Sequence, residues 1–250
     1  MGGPLSWSNS YALEFDATNE AVSIDQDYSS TYAGSFSLNF WIKSDNTTAQ
    51  YYWAAEGANY STGDRLRVHS NNGGSFAVRF KAGGAETLWT SATTPMAGDS
   101  TWRNVGITLT KSATGSTATV IAAYIGGEAI TMNVTSGATT ATEHAQWDED
   151  RDTQIARVLY ADGSATTSAA FLIDEVGLWN TALSAANHAA IYNAGTAMNL
   201  QADSGNYNTS ANLVAYFRFE EGSGSSTANL ISGGDVGTLL NSVSFRNAGV

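Results

Sequence analysis

The chain has 250 residues, a formal net charge of −12 and no cysteine. This acidity opposes binding to nucleic acid or to anionic lipid, because like charges repel at long range, and the lack of cysteine excludes disulfides and thiol chemistry. The 42% of apolar residues can bury a sizeable core, whereas only 14% of the residues are charged, so the surface is built largely from hydroxyl, amide and glycine groups. No stretch reaches the roughly 20 apolar residues of a membrane span.

Alternation of apolar and polar residues predicts a chain built mainly from β-strands. Two strands with a turn between them are predicted in Tyr11–Ile24, and Phe36–Ile42 is the clearest strand, with every second side chain apolar. Further strands are predicted at Tyr51–Ala55, Arg65–His69, Phe76–Lys81, Glu86–Thr90, Trp102–Thr110, Thr119–Ile125, Thr153–Tyr160, Ala170–Trp179 and Val214–Glu220. A dozen short strands separated by polar turns are typical of a sandwich or a closed barrel.

One helix is predicted among these strands. Ser184 is suited to cap a helix that runs from Ala185 to Tyr192, and Gly195 is suited to end it. We expect this helix to plug one end of the sandwich. No linker or repeat divides the chain, so residues 1–250 are predicted to form one domain, in which 1–10 are an N-terminal extension and 211–250 are a closing segment that packs on the same domain.

Several stretches resemble the laminin-G-like branch of the concanavalin A-like lectin and glucanase superfamily. They are Leu13–Ile24, Ser35–Asp45, Trp102–Leu109 and Phe171–Tyr192, in the expected order. The resemblance implies an all-β, concanavalin A-like jelly-roll sandwich of two antiparallel sheets with one short surface helix. Asn212–Leu239 resembles a segment that accompanies such domains, and its position after the domain is similar to standalone proteins of tailed bacteriophages. The superfamily includes lectins, adhesion modules, glycosidases and lyases, so the fold does not define the function.

No catalytic residue is predicted. Glycoside hydrolysis needs two carboxylates that flank the bond, and the E-x-D-x-E strand motif of the superfamily's glucanases is absent; Trp147–Asp152 is the nearest acidic run. His69, His144 and His188 are not at metal-binding spacing and are expected to be exposed or at strand edges. Related polysaccharide lyases combine a His and a Tyr with basic residues, but the eleven Lys and Arg form no cluster in the sequence. We therefore expect a protein that is not an enzyme.

Calcium is the one cofactor that the resemblance implies, as a structural ion. Asp16 and Asp174 match positions that lie at or near a calcium ion in many relatives. The alternative is that Asp16 organises a turn and that Asp174 binds nearby backbone amides. A second cation site is a hypothesis for Asp148, Asp150 and Asp152, since hard cations prefer carboxylate oxygens, although acidic runs are commonly just solvated.

Sugar binding requires exposed aromatic rings beside polar groups, because sugars present C–H patches ringed by hydroxyls. The glycan-binding candidates, each with core packing as the alternative, are Tyr51, Tyr52, Trp53, Tyr60, Trp89 and Trp147. Trp41 and Trp179 lie within the family's own strand patterns and are assigned to the fold.

The leading hypothesis is a non-enzymatic display module on the virion surface of a tailed phage, on the capsid or tail, that contacts host glycans. It rests on the placement of the closing segment and on residues 1–9, which lack a secretory signal pattern. Its partners would be virion structural proteins, cell-surface polysaccharide or both, without nucleic acid or membrane insertion, and an oligomer or larger assembly is expected. A secreted bacterial lectin or carbohydrate-binding module is the alternative, and a divergent glycosidase or polysaccharide lyase is the third hypothesis.

Overall fold

The computed structural model describes residues 9–17, 19–57, 63–81, 86–111, 119–137, 152–159, 165–167, 170–247 and 250. The strands in this part of the chain are β1 Ala12–Phe15, β2 Ala21–Ile24, β3 Phe36–Lys43, β4 Gln50–Glu56, β5 Arg65–Ser70, β6 Phe76–Lys81, β7 Thr87–Ser91, β8 Arg103–Lys111, β9 Thr119–Ile125, β10 Glu128–Ile130, β11 Met132–Gly137, β12 Thr153–Ile155, β13 Arg157–Leu159, β14 Ala165–Thr167, β15 Phe171–Trp179, β16 Leu213–Phe217, β17 Ser226–Thr227, β18 Gly237–Leu240 and β19 Ser244–Arg246. The helices are α1 Ser29–Tyr32 and α2 Ala185–Tyr192, with short 3-10 turns at Asn193–Gly195 and Ser210–Asn212. Neither helix has the length and apolarity that crossing a membrane requires.

The strands form two large antiparallel sheets. The eight-stranded sheet has the order β10-β9-β8-β3-β15-β1-β19, with β16 also paired to β15. The nine-stranded sheet has the order β11-β7-β6-β5-β4-β12-β2-β18-β17, and β13 pairs with β14. The architecture is the predicted all-β jelly-roll sandwich, so the fold class is confirmed. Strands β16, β18 and β19 of the closing segment pair with β15, β2 and β1.

The core lies between the two sheets and follows from the strand alternation. Phe36, Leu38, Phe40 and Ile42 on β3 are at most 1% exposed and belong to the main apolar cluster. Ser37, on the opposite face of β3, is also completely buried. The outer face of the eight-stranded sheet is therefore covered by another part of the chain.

That cover is the segment that contains α2. Ser184 caps the helix by accepting from the Asn187 backbone N–H at 3.1 Å, in a reciprocal capping box. The helix has the predicted bounds, Ala185–Tyr192, but its C-cap is Asn193, a residue in the left-handed conformation, and not Gly195. The expected position at one end of the sandwich was wrong. α2 lies on the outer sheet face, where a Cβ added to Gly106 of β8 would meet His188 Nδ1 at 2.3 Å, so this glycine provides the room for the helix.

Two strands contain irregularities that their sequence pattern did not predict. Thr153–Tyr160 was predicted as one strand but is split at Ala156, whose φ is 70°, into β12 and β13. On β15 the register with β3 shifts between Asp174 and Gly177, and Glu175 has a φ of 50°. Such a bulge turns two consecutive side chains towards one face, and here it directs Asp174 and Glu175 to the outer side.

Candidate functional site

Most of the described aromatic glycan-binding candidates are core residues. Tyr52 and Trp53 are 0% exposed and Trp89 is 4% exposed, so their ring faces are not available to a sugar, and their assignment as surface contacts was wrong. A bulge in β4 between Tyr51 and Trp53 explains why two neighbouring rings both point inwards. Tyr51 is half-buried on the outer face of the nine-stranded sheet, with its ring centroid 5.4 Å from that of His69. Tyr60 and Trp147 lie outside the described residues.

The two residues proposed for calcium do not share one site. Asp16 is exposed and borders an open depression that also contains Lys43 and Asp45. It follows Phe15, which pairs with Phe171, so more than about 10 Å of strand separates it from Asp174.

The structure shows what each of these two residues contacts. The turn after Asp16 is held by Glu20, whose Oε2 accepts from the backbone N–H groups of Asp16 at 2.6 Å and Ala17 at 2.9 Å. Asp174 is 0% exposed and accepts from the backbone N–H groups of Glu175 at 2.8 Å and Val250 at 3.4 Å. Asp174 thus bonds nearby amides, as its alternative expected.

Asp152 is the one member of the second cation candidate that lies in the described part of the chain; Asp148 and Asp150 lie outside it. Its Oδ2 accepts from Ser23 Oγ at 2.6 Å, and Arg157 lies close enough to interact with it electrostatically. Among the described residues, no three acidic or histidine side chains converge in a way that could hold a metal ion. Calcium binding stays a prediction.

Asp174 and Glu175 form a buried acidic pair on the eight-stranded sheet. Burial and the neighbouring Glu175 carboxylate raise the pKa of Asp174 well above its usual range, and burial raises the pKa of Glu175 to about 7. Glu175 accepts from Arg218 Nε at 3.0 Å, from Asn9 Nδ2 at 2.8 Å and from the Tyr216 hydroxyl. Because Glu175 is only 2% exposed, the pair contributes to packing and cannot reach a ligand.

The described histidines are buried, so the expectation of exposure was wrong, although His69 does lie near the end of β5. His188 is 0% exposed, stacks on Tyr124 at 4.2 Å and places Nε2 2.9 Å from Thr108 Oγ1. Burial lowers the pKa of His188 to about 3. His69 is 8% exposed, and burial, with weaker repulsion from Arg79 and Arg67, lowers its pKa to about 4. Both rings are therefore neutral at pH 7. His144 lies outside the described residues.

The outer face of the nine-stranded sheet carries a cluster of basic residues that sequence reasoning missed. We call it the cationic face; its basic residues are Arg65, Arg67, Arg79, Lys81 and Arg157. The alternation in RLRVH and VRFK directs Arg65 and Arg67 of β5 and Arg79 and Lys81 of β6 to the same side. Arg157 joins them because its Nη2 donates to Gln154 Oε1 at 2.9 Å. The expectation that the basic residues form no cluster holds along the chain and fails across the strands.

The carboxylates on this face are already ion-paired. Glu56 receives two hydrogen bonds from Arg67, from Nε and, at 2.9 Å, from Nη2. Glu86 bridges Arg65, at 3.1 Å, and Arg79. Asp152 is a third carboxylate near this cluster and interacts electrostatically with Arg157. Five basic side chains thus lie on one sheet face of a chain whose net charge is −12.

Exposure across the cationic face is uneven. The deeper part is nearly closed, since Arg65 and Arg67 are 7% and 6% exposed and Gln154 is 1% exposed. The side chain of Arg79 is 30% exposed. We call the half-buried part of β6 and β7 the accessible strip; its residues are Arg79, Lys81, Leu88 and Thr90.

Two large antiparallel sheets packed as a jelly-roll sandwich are the architecture of concanavalin A-like domains. The chain belongs to the Laminin_G_3 family of the concanavalin A-like lectin/glucanases superfamily, whose sequence model matches residues 16–187, more than half of the chain. The resemblance inferred from the sequence motifs is thereby confirmed at the level of the family. No curated protein matches this chain.

Solved structures of similar fold include binding domains and enzymes. One is the CBM40 of the Ruminococcus gnavus IT-sialidase bound to α2,3-sialyllactose, with a TM-score of 0.51, 10% identity and coverage of 72% of this chain and 96% of that chain. A second is the Streptococcus pneumoniae NanB sialidase, with a TM-score of 0.50, 16% identity and coverage of 74% of this chain and 27% of that chain. A third is mouse laminin α1 LG4-5, with a TM-score of 0.49, 14% identity and coverage of 72% of this chain and 46% of that chain. At these identities the likeness concerns the fold.

Proposed function

We propose that this protein is a non-enzymatic carbohydrate-binding module whose ligand lies on the outer face of the nine-stranded sheet. The observation that carries the proposal is the cationic face, where the accessible strip presents the polar groups of Arg79 and Thr90 beside the apolar Leu88. Sugars offer hydroxyls and C–H patches in the same way, so this mixture suits them. The groups project from paired strands, and rigid elements position binding groups better than loops do.

The length of the proposed ligand surface is set by a row of paired residues that runs across neighbouring strands of the nine-stranded sheet. Arg79 pairs with Leu88 on one side and with Arg67 on the other, and Leu88 pairs with Ser136 of β11. Directly opposed residues point to the same face, and neighbouring strands are about 4.8 Å apart. Because Arg67 is nearly closed to solvent, the accessible part of the row runs from β6 to β11 and spans about 10 Å, which suits an oligosaccharide better than a single sugar. Membership of the superfamily and the sialyllactose bound to the CBM40 structure support the proposal.

The state of the acidic groups favours binding over hydrolysis. A glycosidase needs one carboxyl group that holds a proton and a second carboxylate across the sugar. Glu56 and Glu86 on the cationic face are occupied by arginines. Asp174 and Glu175, whose pKa values are raised, are buried on the other sheet.

A polysaccharide lyase is the second candidate, and one observation favours it. Tyr51, His69 and the basic residues lie on the same sheet face, which removes the objection that the sequence raised. Burial of His69 to 8% exposure speaks against it, because a reacting group needs access to substrate. The release of unsaturated uronate from acidic polysaccharides, followed by ultraviolet absorbance, would establish the lyase and overturn the non-enzymatic assignment.

We further propose that the module is displayed on a virion surface of a tailed phage, with a secreted lectin as the alternative. The support is the sequence resemblance of Asn212–Leu239 and its position after the domain. Mass spectrometry of gradient-purified particles and of the secreted fraction of the producing cells separates the two. Recovery in particles is expected, and recovery in the secreted fraction alone overturns the virion assignment.

The binding function is tested on a broad glycan array, once with calcium and once with a chelator. We expect binding that the chelator does not abolish, because the cationic face attracts ligands without a metal ion. Calcium-dependent binding would move the ligand site to the end of the sandwich that contains Asp16 and Asp45. An absence of binding under both conditions would overturn the proposal and favour a structural role that depends on protein–protein contacts.

A further inference from the structure

Four polar side chains meet where strand β12 pairs with β2 in the nine-stranded sheet. They are Ser23, Asp152, Gln154 and Arg157. The register sets Gln154 directly opposite Ser23, and directly opposed residues share a face, with Cβ atoms about 4.5–5.5 Å apart. Gln154 is 1% exposed, and the other three are half-buried. The group is therefore closed to solvent at Gln154 and accessible at its rim.

The contacts of Ser23 are those of a nucleophile beside its base. Ser23 Oγ donates to Asp152 Oδ2 at 2.6 Å, so a carboxylate is in place to take the hydroxyl proton. Gln154 Nε2 lies 2.6 Å from the same Ser23 Oγ. Because the C–N bond of an amide is about 1.33 Å long, the carboxamide carbon is at most about 3.9 Å from this oxygen. A shift of less than about 1 Å brings the two atoms to the attack distance of about 3–3.5 Å.

Arg157 polarises the carboxamide that this oxygen would attack. Its Nη2 donates to Gln154 Oε1 at 2.9 Å, and negative charge develops on Oε1 when a nucleophile adds to the carbon. A guanidinium stays protonated, and one donor aimed at such an oxygen accelerates acyl transfer by about 10²–10³-fold. Nucleophile, base, electrophile and oxyanion donor are thus neighbours within one chain.

A second Ser–Gln contact has different partners. Gln50 Nε2 donates to Ser44 Oγ at 2.5 Å. Ser44 Oγ, however, donates to the backbone carbonyl of Asn46 at 3.1 Å, and Gln50 Oε1 accepts from the hydroxyl of Tyr52 at 3.1 Å. A carbonyl is a far weaker base than a carboxylate, and a neutral hydroxyl polarises an amide less than a guanidinium does. Ser44 and Gln50 therefore serve as a matched control.

We propose that Ser23 and Gln154 form an intramolecular ester that joins β2 to β12 covalently. Ser23 Oγ adds to Gln154 Cδ while its proton passes to Asp152. The C–N bond then breaks with its electron pair on nitrogen, which takes the proton from Asp152 and leaves as ammonia. Asp152 and Arg157 end unchanged, and the reaction consumes no other reactant. Ammonia leaves through the half-buried rim and is protonated in solvent at neutral pH, which draws the reaction forward.

The cross-link would constrain most of the chain, since the joined residues are 131 positions apart. Closing a loop of this length removes much of the conformational freedom of the unfolded chain, as a disulfide does. A chain without cysteine would in this way gain a covalent restraint that needs no oxidising compartment.

Mass spectrometry of the intact full chain tests the bond. We expect a mass lower than that of the sequence by one ammonia, and a tryptic digest in which the peptide 152–157 is joined to the peptide that contains Ser23. Neutral hydroxylamine, which cleaves esters and leaves amides intact, should separate the two peptides. The mapping is required because the Asn72–Gly73 step can also lose ammonia, by closing to a succinimide. A chain of full mass, or a deficit that maps elsewhere, overturns the proposal.

Variants assign the roles of the four residues. Ser23→Ala removes the nucleophile and should abolish the mass deficit, whereas the control Ser44→Ala should keep it. Arg157→Gln and Asp152→Asn retain both bonded residues and should slow ester formation, by about a hundredfold for Arg157→Gln, which a time course of the mass deficit after purification measures. Ester formation at an unchanged rate in both variants would overturn the mechanism.

Thermal unfolding gives a second measurement. Loss of the cross-link in Ser23→Ala should lower the midpoint by on the order of 10 °C, and Ser44→Ala should lower it by much less. Equal shifts would mean that Ser23 contributes only a hydrogen bond. The inference is independent of the proposed function, because a cross-linked chain that binds no glycan would overturn carbohydrate binding alone, and a glycan-binding chain of full mass would overturn the ester alone.

Discussion

The two outer faces of the sandwich handle their polar groups in opposite ways. On the eight-stranded sheet, the segment with α2 closes over the strands, and Ser37, Thr108 and His188 form hydrogen bonds with one another and with a nearby carbonyl in a buried interface. On the nine-stranded sheet, charged groups keep like-charge neighbours, and Arg79 stays in contact with solvent. The first arrangement is that of a core, and the second leaves polar groups accessible on the sheet face.

Buried groups on the two faces differ in charge as well as in exposure. Asp174 and Glu175 respond to burial with raised pKa values, and His188 responds with a lowered one, so each tends towards its neutral form. Arginine cannot follow that route because its pKa lies above 12, and Arg67 is neutralised by Glu56 instead. The comparison supports the proposal that one face maintains the fold and that the other binds a ligand.

The largest effect is expected from removal of a buried ring on the covered face. Trp179→Ala should lower the free energy of unfolding by about 3–5 kcal/mol, because Trp179 is 0% exposed and its Nε1 donates to the Tyr207 hydroxyl at 3.1 Å. The matched change on the accessible strip, Leu88→Ala, should cost less than about 1 kcal/mol, because Leu88 is half-buried. Urea unfolding measures both. Equal losses in the free energy of unfolding would mean that side chains on the two outer faces are packed to the same extent, and would contradict the comparison.

A pH-dependent effect of the next size is expected at the acidic pair. The pKa of Glu175 in the folded state is raised from 4.5 to about 7, so its stabilising contribution is present at acid pH and is lost as the pH rises from 4.5 to 7. The difference is on the order of 3 kcal/mol. Glu175→Gln removes the titrating group and should flatten this dependence. The measurement is chemical unfolding of both proteins from pH 4.5 to 8, and parallel curves would contradict it.

The buried histidines are expected to change the free energy of unfolding with pH in the opposite direction and by a smaller amount. Because the pKa of His188 is lowered to about 3 in the folded state, the unfolded chain binds the proton first, and stability falls as the pH falls below 6.5. Between pH 6.5 and pH 5 this amounts to about 2 kcal/mol. His188→Gln should remove the loss on the covered face, and His69→Gln should remove a similar loss on the cationic face. If neither variant shifts the acid midpoint of unfolding, the rings are not held neutral.

The smallest effect is expected at the helix cap. Ser184→Ala should destabilise the protein by about 1 kcal/mol, because it removes the acceptor for the Asn187 N–H. Glycan affinity should not change, since α2 lies on the face opposite the proposed ligand surface. A loss of binding in this variant, with the fold retained, would place the ligand on the eight-stranded sheet and contradict the proposed ligand surface.

Much of the fold was predictable because strand alternation is local. β3, β6 and α2 lie where the pattern of apolar residues and caps placed them. The basic cluster was also latent in that pattern, since RLRVH and VRFK each direct alternate basic residues to one side. What the pattern lacks is the pairing of β5 with β6, which sets the two pairs of residues opposite each other.

Trp53 and Glu175 show why the remaining site residues were not predictable. Trp53 follows a bulge and Glu175 lies within one, and one additional residue in a strand reverses the face of every side chain beyond it. Both rings of the Tyr52–Trp53 pair point to the core, and both carboxyls of the Asp174–Glu175 pair point to the outer face. Bulges arise from how neighbouring strands pack, which no short stretch of sequence encodes.

The sequence by itself determined the class of the fold, the family and the acidic character of the protein, because periodicity, motifs and composition are properties of the chain alone. The tertiary structure decided which outer face is covered by α2, which aromatic rings are buried and where the scarce basic residues meet. Those outcomes depend on strand order and on registers between distant segments. The physical reason is that burial and electrostatic proximity are set by neighbours in space, and in this sandwich those neighbours come from separate strands.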